Sequence, residues 1–583
     1  MTTLKLPFSP RIYVAGHNEP VSACSVDPLC FEESQNGNWV PITSCGVGFT
    51  AHDFSQVIDA LVHHPERNSP LILRADIESD LDLTPSTNSK AQLGLPGLKN
   101  HHPTRLIRRL LCPRQPKRDR ALHHSCIFYS HGQHVVDRTP TVLVLSPDLS
   151  DEHPVPPFYH PAVRYLAIRY MAKKDAKGEG GVIGEVAVDV VRLAGDVASE
   201  KTSSDSAENA LPPRLVKTCV SLLDGVCRVG YGYANGYRKR VEHDTLVDKA
   251  EFQDLYLKMK EMHGGLVETW QEATDPSKHV FEDIGIATFL MLLWKATYQG
   301  SNASTESDNS QFPWSHYPRP PGGFRDIGCG NGLLTHILTA SGYHGIGIDL
   351  RARKSWSNYP SETQARLKVA ALDFTTMEYD SAIGVFKGLP EILESDVDEG
   401  EGRLFFIGNH ADELTPWMPL IAHAARADFI NIPCCFWGLD ERFQARKKKD
   451  MPGPSISAHP SPDEPWELAL ADRLHSVMGG QADATTSTKK GGNKQPSQYG
   501  RYMLWLARLQ RACGFEVEVE ALRIPSTRNW AFTGRTRNWQ SEDERVRFDE
   551  YLNDLVSQVR QRGLFKTRIP EGKEGGFITI HGI

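Results

Sequence analysis

The spacing of apolar residues along this chain changes near residue 312. Upstream, in residues 243–270, apolar side chains recur every three or four positions, which is typical of an amphipathic helix. A second helix is predicted at 280–298. Downstream, short apolar runs alternate with helical patterns as far as residue 432. The change predicts two kinds of architecture in one chain.

The downstream half alternates between strands and helices. The predicted strands are 324–327, 345–348, 367–371, 404–407, 429–432 and 515–522. The predicted helices are 333–340, 416–425 and 499–513, with Thr415 as the N-cap of the second. Because strands that alternate with helices favour a mostly parallel, doubly wound sheet, we predict an α/β fold here.

The upstream half is less regular. One helix is predicted at 53–64 and two strands at 126–129 and 141–145, between runs broken by Pro, Gly and Asn. The predicted division of the chain is an α+β N-terminal region at 1–200, a helical segment at 214–300 and a C-terminal domain at 312–583. Within that domain, residues 446–497 are predicted to be a mobile insertion, because structureless loops of this length are rare in compact cores.

The charge balance limits what the chain can bind. It has 583 residues, of which 65 are basic and 72 acidic, and its net charge of −7 gives no overall attraction for nucleic acid. Any polyanion must therefore be bound by local basic patches. The candidate patches are 105–120, with seven basic residues against one acidic, and 238–240, 446–449 and 535–537.

Membrane and disulfide-rich classes are disfavoured. The longest uncharged apolar stretch on a predicted helix, 284–294, is too short to cross a bilayer. The N-terminus lacks the apolar run of a signal peptide. The 11 cysteines form no CxxC pair, so neither a zinc site nor a disulfide framework is predicted. We expect a soluble, cytoplasmic monomer with no membrane partner and no metal.

A glycine-rich turn, with the sequence GCGNG at 328–332, joins the first predicted strand of the downstream half to its helix. Glycines there let backbone N–H groups approach a ligand, and the helix N-terminus adds positive potential. The spacing is GxGxG, and Leu333 stands where a dinucleotide fold has a third glycine. We therefore predict a Rossmann-like domain that binds S-adenosylmethionine rather than a nicotinamide cofactor. The predicted contacts in the turn are Gly328, Gly330, Asn331 and Gly332.

Polar residues at the ends of the strands suit the same cofactor. Asp349 closes the second strand, where a carboxylate can hold the ribose hydroxyls. Asp373 is predicted to end the third strand, where an adenine amino group is often bound. Asp326, in the first strand, is predicted to face the methionine end, and Asn409 follows the fourth strand. Strand, turn, helix, strand and terminal acid in this order favour binding over a purely structural turn.

The loop after the fourth predicted strand holds the candidate catalytic residues. Reacting groups in doubly wound sheets gather beyond the carboxyl ends of the strands. Asn409, His410, Asp412 and Glu413 lie there, before a helix, and His410 is interpreted as a substrate or cofactor contact rather than as the base. Acids before a helix are also favoured by its dipole alone, so the proton acceptor stays open. Glu282 and Asp283, on the upstream helix 280–298, are interpreted as first-turn helix acids.

Six ordered blocks of residues carry a resemblance to a known family. They are 279–287, 326–334, 347–354, 408–417, 432–436 and 522–529. The chain thereby resembles the eukaryotic tRNA(Ser) uracil-2′-O-methyltransferase family, which modifies uridine 44. The resemblance implies a class I methyltransferase domain that transfers a methyl group from S-adenosylmethionine to a ribose 2′-hydroxyl in serine tRNA. Whether an accessory protein is needed stays open.

Four cationic side chains suit such a substrate. Arg523 is predicted to be catalytic by stabilising the developing alkoxide, and Arg528 to contact phosphate, since guanidinium groups form bidentate pairs with anionic oxygens. Arg353 and Lys354 follow the second strand and are predicted to contact the substrate. Ordinary surface arginines and lysines are the alternative. The alternative functions are a non-catalytic tRNA-binding subunit, another methyltransferase, and a nicotinamide oxidoreductase, which Leu333 disfavours.

Overall fold

A computed structural model describes most of the chain. The described residues are 6–14, 22, 27, 29–32, 37–83, 95–132, 138–173, 182–193, 211–237, 243–299, 312–394, 402–443, 469–470, 497–565, 567–568 and 577–578. They belong to two compact units, Met1–Arg238 and Lys239–Ile583. Each unit has its own sheet and its own core.

Within the described residues, the first unit is an antiparallel sheet with two α-helices. Its strands are β1 (Arg11–Ile12), β2 (Val40–Val47), β3 (Ile72–Asp82), β4 (His101–Pro113), β5 (Leu122–His131), β6 (Val142–Pro147), β7 (Tyr165–Ala172) and β8 (Gly184–Val191). Its helices are α1 (Ala51–His63) and α2 (Pro213–Ala234). The strand order is β1-β2-β8-β7-β6-β5-β4-β3, and all neighbours are antiparallel.

Both helices of the first unit pack on one face of this sheet. Phe54 of α1 and Leu223 of α2 share an apolar cluster with Ile168 of β7. Helix α1 begins at a capping box, in which Thr50 accepts the Asp53 N–H and Asp53 accepts the Thr50 N–H. The predicted α+β character of this region is confirmed, although the sequence pattern shows only two of the eight strands.

The second unit is built around a mostly parallel sheet. Its principal strands are β9 (Phe324–Ile327), β10 (Gly345–Asp349), β11 (Leu367–Val369), β14 (Phe405–Asn409), β15 (Asp428–Ile432), β16 (Glu518–Ala521) and β17 (Trp530–Gly534). Two small hairpins pair β12 (Glu378–Asp380) with β13 (Val385–Lys387) and β18 (Thr567–Arg568) with β19 (Phe577–Ile578). The main order is β11-β10-β9-β14-β15-β17-β16, in which β17 is antiparallel to both neighbours.

Helices cover both faces of the main sheet. They are α3 (Lys249–His263), α4 (Pro276–Thr297), α5 (Leu333–Ala340), α6 (Ser361–Arg366), α7 (Met418–Ala424), α8 (Gln498–Ala512) and α9 (Glu542–Arg562). Phe405 and Ile407 of β14 share an apolar cluster with α4 and α5, whereas Phe406, between them, joins α7, α8 and α9 in another. This alternation follows from the two-residue period of a strand. The strand order reverses between β9 and β14, where ligands bind in open α/β sheets.

Helix α4 is unusual because it is buried on almost every side. Trp294 packs edge-on against Phe405, with ring centroids 5.4 Å apart, and stacks near Phe324 at 6.0 Å. The helix begins at Pro276, where Asp275 accepts the backbone N–H groups of the first turn. Among the described residues no helix is long and apolar enough to cross a membrane.

Several predicted elements differ from those observed. The helix predicted at 416–425 begins at Met418, after a 3-10 turn over Asp412–Trp417, so the predicted N-cap role of Thr415 is wrong. The last predicted strand is shorter, Glu518–Ala521. Helix α2, which the prediction groups with the C-terminal helices, packs in the first unit. Of the predicted insertion at 446–497, all but 469–470 and 497 lies outside the described residues.

Candidate active site

The glycine-rich turn leads from β9 into α5 in a conformation that favours glycine. Gly328, Gly330 and Gly332 have φ values of +75°, +54° and +75°, a region that side chains with a Cβ rarely adopt. A Cβ added at Gly330 would meet nothing within 4 Å. The turn therefore presents backbone beside open space, as a ligand cradle requires.

Asp349 closes this turn from the end of β10. Its Oδ2 accepts the Gly330 N–H at 2.9 Å, and its Oδ1 accepts the Arg351 N–H at 3.3 Å. The Arg353 guanidinium lies 3.5 Å from the same Oδ1. The Trp356 indole donates to the Gly330 carbonyl at 3.0 Å. The carboxylate predicted to hold the ribose thus also fixes the turn.

Asp326 is buried at the sheet centre, with 1 % of its surface exposed. Thr335 of α5 donates to its Oδ2 at 2.8 Å. Burial raises the pKa of this carboxyl to about 7; the Thr335 hydrogen bond opposes that rise and the charge of Asp349 adds to it. Near neutral pH, a cation placed beside Asp326 would therefore change the fraction of this carboxyl that is ionised.

Two further predicted cofactor residues make local contacts. Asn331 Oδ1 accepts the Leu333 N–H at 2.9 Å, at the start of α5. Asp373 Oδ1 accepts the N–H and hydroxyl of Thr375 at 2.9 and 2.7 Å. The prediction that Asp373 ends the third strand is wrong, because β11 ends at Val369 and a loop carries the acid beyond it. Lys354 is exposed and starts a 3-10 turn.

The loop after β14 lies directly beside the glycine-rich turn. Ile407 pairs with Asp326 in the sheet register, so the end of β14 runs alongside the end of β9. A Cβ added at Gly328 would lie 3.6 Å from the Ala411 Cα. In this loop His410 and Asp412 have φ values of +54° and +47°. Such strained backbone is often found at functional sites.

Two side chains of this loop contact consecutive acids on α4. His410 Nε2 lies 3.2 Å from Glu282 Oε1, and the Asn409 amide donates to Asp283 Oδ1 at 3.3 Å. Within the described part of the chain, His410 Nδ1 and Asn409 Oδ1 are buried and have no hydrogen-bond partner. The loop therefore holds one atom of each side chain fixed and leaves the other available for a ligand.

Glu282, Asp283 and Asp326 form a cluster that we call the carboxyl cluster. Burial raises the pKa of Asp283 well above its usual value; the charges of Glu282 and Asp326 add to the rise and Asn409 opposes it. Burial also acts to raise the pKa of Glu282, but contacts with His410, Ser526 and Lys278 together hold it below its usual value. The cluster favours binding of a cation.

The interpretation of Glu282 and Asp283 as first-turn helix acids is wrong. Helix α4 begins at Pro276, so both acids lie well inside the helix. The one signal in the sequence was a pair of acids within an otherwise apolar helical run. Ser526, which hydrogen-bonds Glu282, was also missed.

The two arginines around Ser526 make other contacts. Arg523 forms a bidentate ion pair with Asp244, at 2.7 and 2.5 Å. The Arg528 guanidinium lies over the Tyr499 ring, 4.1 Å from its centroid. Loop 522–529 thus reaches the carboxyl cluster through Ser526, while Arg523 is held by an acid of the segment before α3.

Asp412 and Glu413 are half-buried at the start of the 3-10 turn. The Cys434 thiol donates to Asp412 Oδ1 at 3.5 Å. Among the described residues, Asp412, Cys434 and Cys435 form the one group whose ligand atoms could hold a metal, all within 4.8 Å of one another. These two cysteines are adjacent in the sequence and therefore form no CxxC pair.

Of the predicted basic patches, 238–240 and 446–449 lie outside the described residues. Patch 535–537 is not a free basic surface: Arg535 pairs with Glu518 at 2.6 Å, and the Arg537 guanidinium lies 3.8 Å from the Phe515 ring centroid. The stretch 105–120 is divided, since Arg105 pairs with Asp59 and Asp80 whereas Arg114 and Arg118 are exposed.

Two family models match the chain. Residues 15–240 match the TRM44-like, N-terminal bet v1-like domain, and residues 246–373 match a predicted AdoMet-dependent methyltransferase. The second match spans α3, α4, the glycine-rich turn and Asp349. No solved structure matches the chain.

Curated relatives match nearly the whole chain. The tRNA (uracil-O(2)-)-methyltransferase of Schizosaccharomyces pombe is 34 % identical over 532 residues, covering 89 % of each chain. The enzyme of the same name from Neurospora crassa is 33 % identical, covering 86 % of this chain and 87 % of its own, and that from Candida glabrata is 30 % identical, covering 87 % and 90 %. The chain therefore belongs to the tRNA (uracil-O(2)-)-methyltransferase family, and its cofactor is S-adenosylmethionine.

Proposed function

We propose that this protein transfers the methyl group of S-adenosylmethionine to the ribose 2′-hydroxyl of uridine 44 in serine tRNA. The names of the relatives support tRNA uridine as the substrate. The ordered residue blocks that resemble the uridine-44 family support the nucleotide, the ribose position and serine tRNA. The observation that carries a catalytic role is the His410–Glu282 contact beside the glycine-rich turn.

We assign the reaction to residues 239–583 and the fold of this unit to the Rossmann-like, class I methyltransferases. Five parallel strands in the order β11-β10-β9-β14-β15, with the antiparallel β17 beyond them, support this assignment. The reversal between β9 and β14 brings the glycine-rich turn and the His410 loop to the same edge of the sheet.

The residues at this edge fit the cofactor. Bound there, S-adenosylmethionine supplies an electrophilic methyl carbon on a positively charged sulfur. The turn leaves open space at Gly330, and Asn409 Oδ1 is a buried acceptor with no hydrogen-bond partner in the described chain. Asp349 would accept from the ribose hydroxyls and Asp373 from the adenine amino group. Asp326 and Asp283 would ionise beside the methionine ammonium group, because its positive charge opposes the rise in their pKa values, and would then balance that charge.

We propose His410 as the proton acceptor. A ribose hydroxyl is a weak nucleophile, so its proton must leave as the oxygen–carbon bond forms and the sulfur–carbon bond breaks. Glu282 holds His410 Nε2, while Nδ1 is buried and has no partner in the described chain, so Nδ1 can take that proton. Asp412 and Glu413, next along the loop, remain the alternative acceptors.

We keep the cationic side chains as proposed substrate contacts. Arg528 and Lys354 would contact phosphate, and Arg353 lies beside the turn through Asp349. A role for Arg523 in stabilising the developing alkoxide requires its ion pair with Asp244 to open when the substrate binds.

Nucleoside mass spectrometry tests the proposed function. Unmodified serine tRNA is incubated with the full chain and methyl-labelled S-adenosylmethionine, then digested. We expect labelled 2′-O-methyluridine at position 44. Label on a uracil base atom would overturn the ribose assignment, and tRNA binding without any product would favour a non-catalytic tRNA-binding subunit.

A further inference from the structure

The first unit contains a cavity of about 1170 Å³ that no step of the methyl transfer uses. The first turns of α2 form one wall, and β4 and β5 form another. The end of α1 and the proline-rich segment 155–162 complete it. Because the cavity is open to solvent and larger than a single nucleotide, it can accept part of a chain rather than only a small molecule.

The lining of this cavity is strongly one-sided in charge. Its basic residues and histidines are Arg109, Arg192, Arg214, Lys217, His124 and His160. None of the described residues that line it is Asp or Glu, although the whole chain has a net charge of −7. Glu66 acts on Arg109 electrostatically from outside the lining. The cavity therefore concentrates positive potential on an otherwise acidic protein.

The floor of the cavity holds a buried guanidinium. Arg109 is 2 % exposed and donates to the last carbonyls of α1, Leu61 and Val62. Its Nε donates to His124 Nδ1 at 3.2 Å, and His124 Nε2 lies 3.2 Å from His160 Nε2. Burial lowers the pKa of His160 to about 4 and that of His124 well below its usual value. At neutral pH the floor thus carries one buried cation and two neutral imidazoles, and an anion would stabilise it.

The mouth of the cavity combines an exposed aromatic ring with cations. Phe158 is 54 % exposed. Arg214 donates to its carbonyl at 2.5 Å, and the guanidinium lies 3.4 Å from the ring centroid. Lys217, three residues along α2, is exposed on the same wall. An exposed ring beside cations is the arrangement on which single-stranded nucleic acids stack their bases and place their phosphates.

We propose that this cavity binds a single-stranded segment of the tRNA substrate. One base stacks on the face of the Phe158 ring that Arg214 leaves open, and the adjoining phosphates contact Arg214 and Lys217. The inference rests on the proposed function only in taking RNA as the anion. The row of cations argues against a neutral apolar ligand, because such a ligand would desolvate the charges of Arg214 and Lys217 without offering them an anionic partner.

The test compares two charge reversals on one helix. Arg214→Glu alters the mouth of the cavity, whereas Arg228→Glu makes the same change at an exposed position of α2 that does not line it. Binding of serine tRNA to the full chain is measured by fluorescence anisotropy over a series of salt concentrations. We expect Arg214→Glu to raise Kd about tenfold or more and to reduce the salt slope by about one. Arg228→Glu should change Kd less than about twofold.

A second pair of variants tests the stacking contact. Phe158→Ala should weaken tRNA binding, and Phe158→Tyr should restore it, since a base stacks on either ring. S-adenosylmethionine binding, measured by calorimetry, should stay at the wild-type value in all four variants. That value shows that the catalytic unit is folded.

The proposal is overturned if Arg214→Glu and Arg228→Glu weaken binding equally, or if neither changes it. It is also overturned if native mass spectrometry finds a tightly held apolar molecule and Phe158→Ala leaves tRNA affinity unchanged. These failures differ from failure of the proposed function. Wild-type tRNA binding with no methylated product would overturn the proposed function alone, whereas wild-type methylation that is indifferent to Arg214→Glu would overturn the cavity alone.

Discussion

His410 Nε2 lies 3.2 Å from Glu282 Oε1, although 128 residues separate them in the sequence. The contact joins the loop after β14 to the middle of α4. It fixes which ring nitrogen of His410 faces the acid and therefore which one is left for the substrate. The adjacent Asn409–Asp283 contact, at 3.3 Å, repeats the arrangement one residue earlier on the loop and one later on the helix.

Replacing His410 tests its role as the proton acceptor. His410→Ala should reduce kcat by about 10²- to 10⁴-fold, the usual contribution of a general base, with S-adenosylmethionine affinity unchanged. Glu282→Gln keeps the shape but weakens the contact that holds His410 Nε2, so kcat should fall less than in His410→Ala. Single-turnover methylation of serine tRNA measures both. Full turnover by His410→Ala, with loss in Asp412→Ala, would transfer the role to Asp412.

Replacing Asp349 tests the ribose contact separately from the turn. Asp349→Asn retains an oxygen that can accept the Gly330 N–H, but it loses the negative charge. The Kd for S-adenosylmethionine should rise about tenfold, as expected when a charged hydrogen bond becomes neutral. Calorimetry measures the change, and Asp380→Asn, on the separate hairpin of β12 and β13, is the control. Wild-type affinity in Asp349→Asn would place the ribose elsewhere.

The raised pKa of Asp326, about 7, predicts a pH-dependent cofactor affinity. The ionised carboxylate attracts the cationic cofactor, so affinity should rise as pH increases from about 6 to 7.5. Asp326→Asn should remove this rise. Both proteins bind the same ligand, so the titration of the ligand itself affects them equally. The difference between their pH profiles of cofactor affinity therefore reports Asp326. Parallel pH profiles for the two proteins would contradict the assignment.

The raised pKa of Asp326 also predicts the direction in which the stability of the protein changes with pH. Because the folded protein keeps the proton on Asp326 up to a pH of about 7, whereas the unfolded chain releases it near 3.8, the cofactor-free protein loses stability over that interval as pH rises. The melting temperature of Asp326→Asn, taken relative to that of the wild type, should therefore be higher at pH 7 than at pH 4. Melting temperatures of both proteins at the two pH values measure this difference.

Alanine at two glycines of the turn should separate binding from stability. A Cβ at Gly330 meets nothing within 4 Å, so Gly330→Ala carries mainly the cost of a positive φ, about 1–2 kcal/mol, but fills the cradle. A Cβ at Gly332 would lie 2.9 Å from the Leu367 side chain, so Gly332→Ala should destabilise the fold more. Urea unfolding should show that Gly332→Ala is the less stable variant. Calorimetry should show that Gly330→Ala binds the cofactor more weakly.

The sequence predicted the sheet of the second unit well where local signals agree. Strand Phe324–Ile327 and helix Leu333–Ala340 have the predicted bounds, because a buried apolar strand, a glycine turn and an apolar helix follow in unbroken order. The loop after β14 was identified in the same way, because an apolar strand, a polar loop and a helical pattern follow one another there. The pairing of this loop with Glu282 and Asp283 was not predictable, since it depends on which face of α4 packs against the sheet.

The first unit was harder to predict because its strands carry charges inside the alternating pattern. Strand β4 contains Arg105, Arg108 and Arg109, which obscure its apolar positions. Arg109 is buried because the carbonyls at the end of α1 accept its hydrogen bonds, and those carbonyls are distant in sequence. Likewise, nothing local indicates that Asp412 starts a 3-10 turn, where the chain instead shows a helix-capping pattern at Thr415.

The burial of α4 on nearly every side has a consequence for biosynthesis. The ribosome releases this helix before β9 and β14, so Trp294 and its apolar neighbours emerge before Phe324 and Phe405 exist to cover them. A nascent chain at that stage exposes an apolar helix to which chaperones would bind. A recombinant fragment starting at residue 312 would have the opposite defect. One face of its sheet would lack the cover of α4, and His410 would lack its contact with Glu282. A fragment that keeps this cover and this contact must therefore include α4 and its N-cap, Asp275.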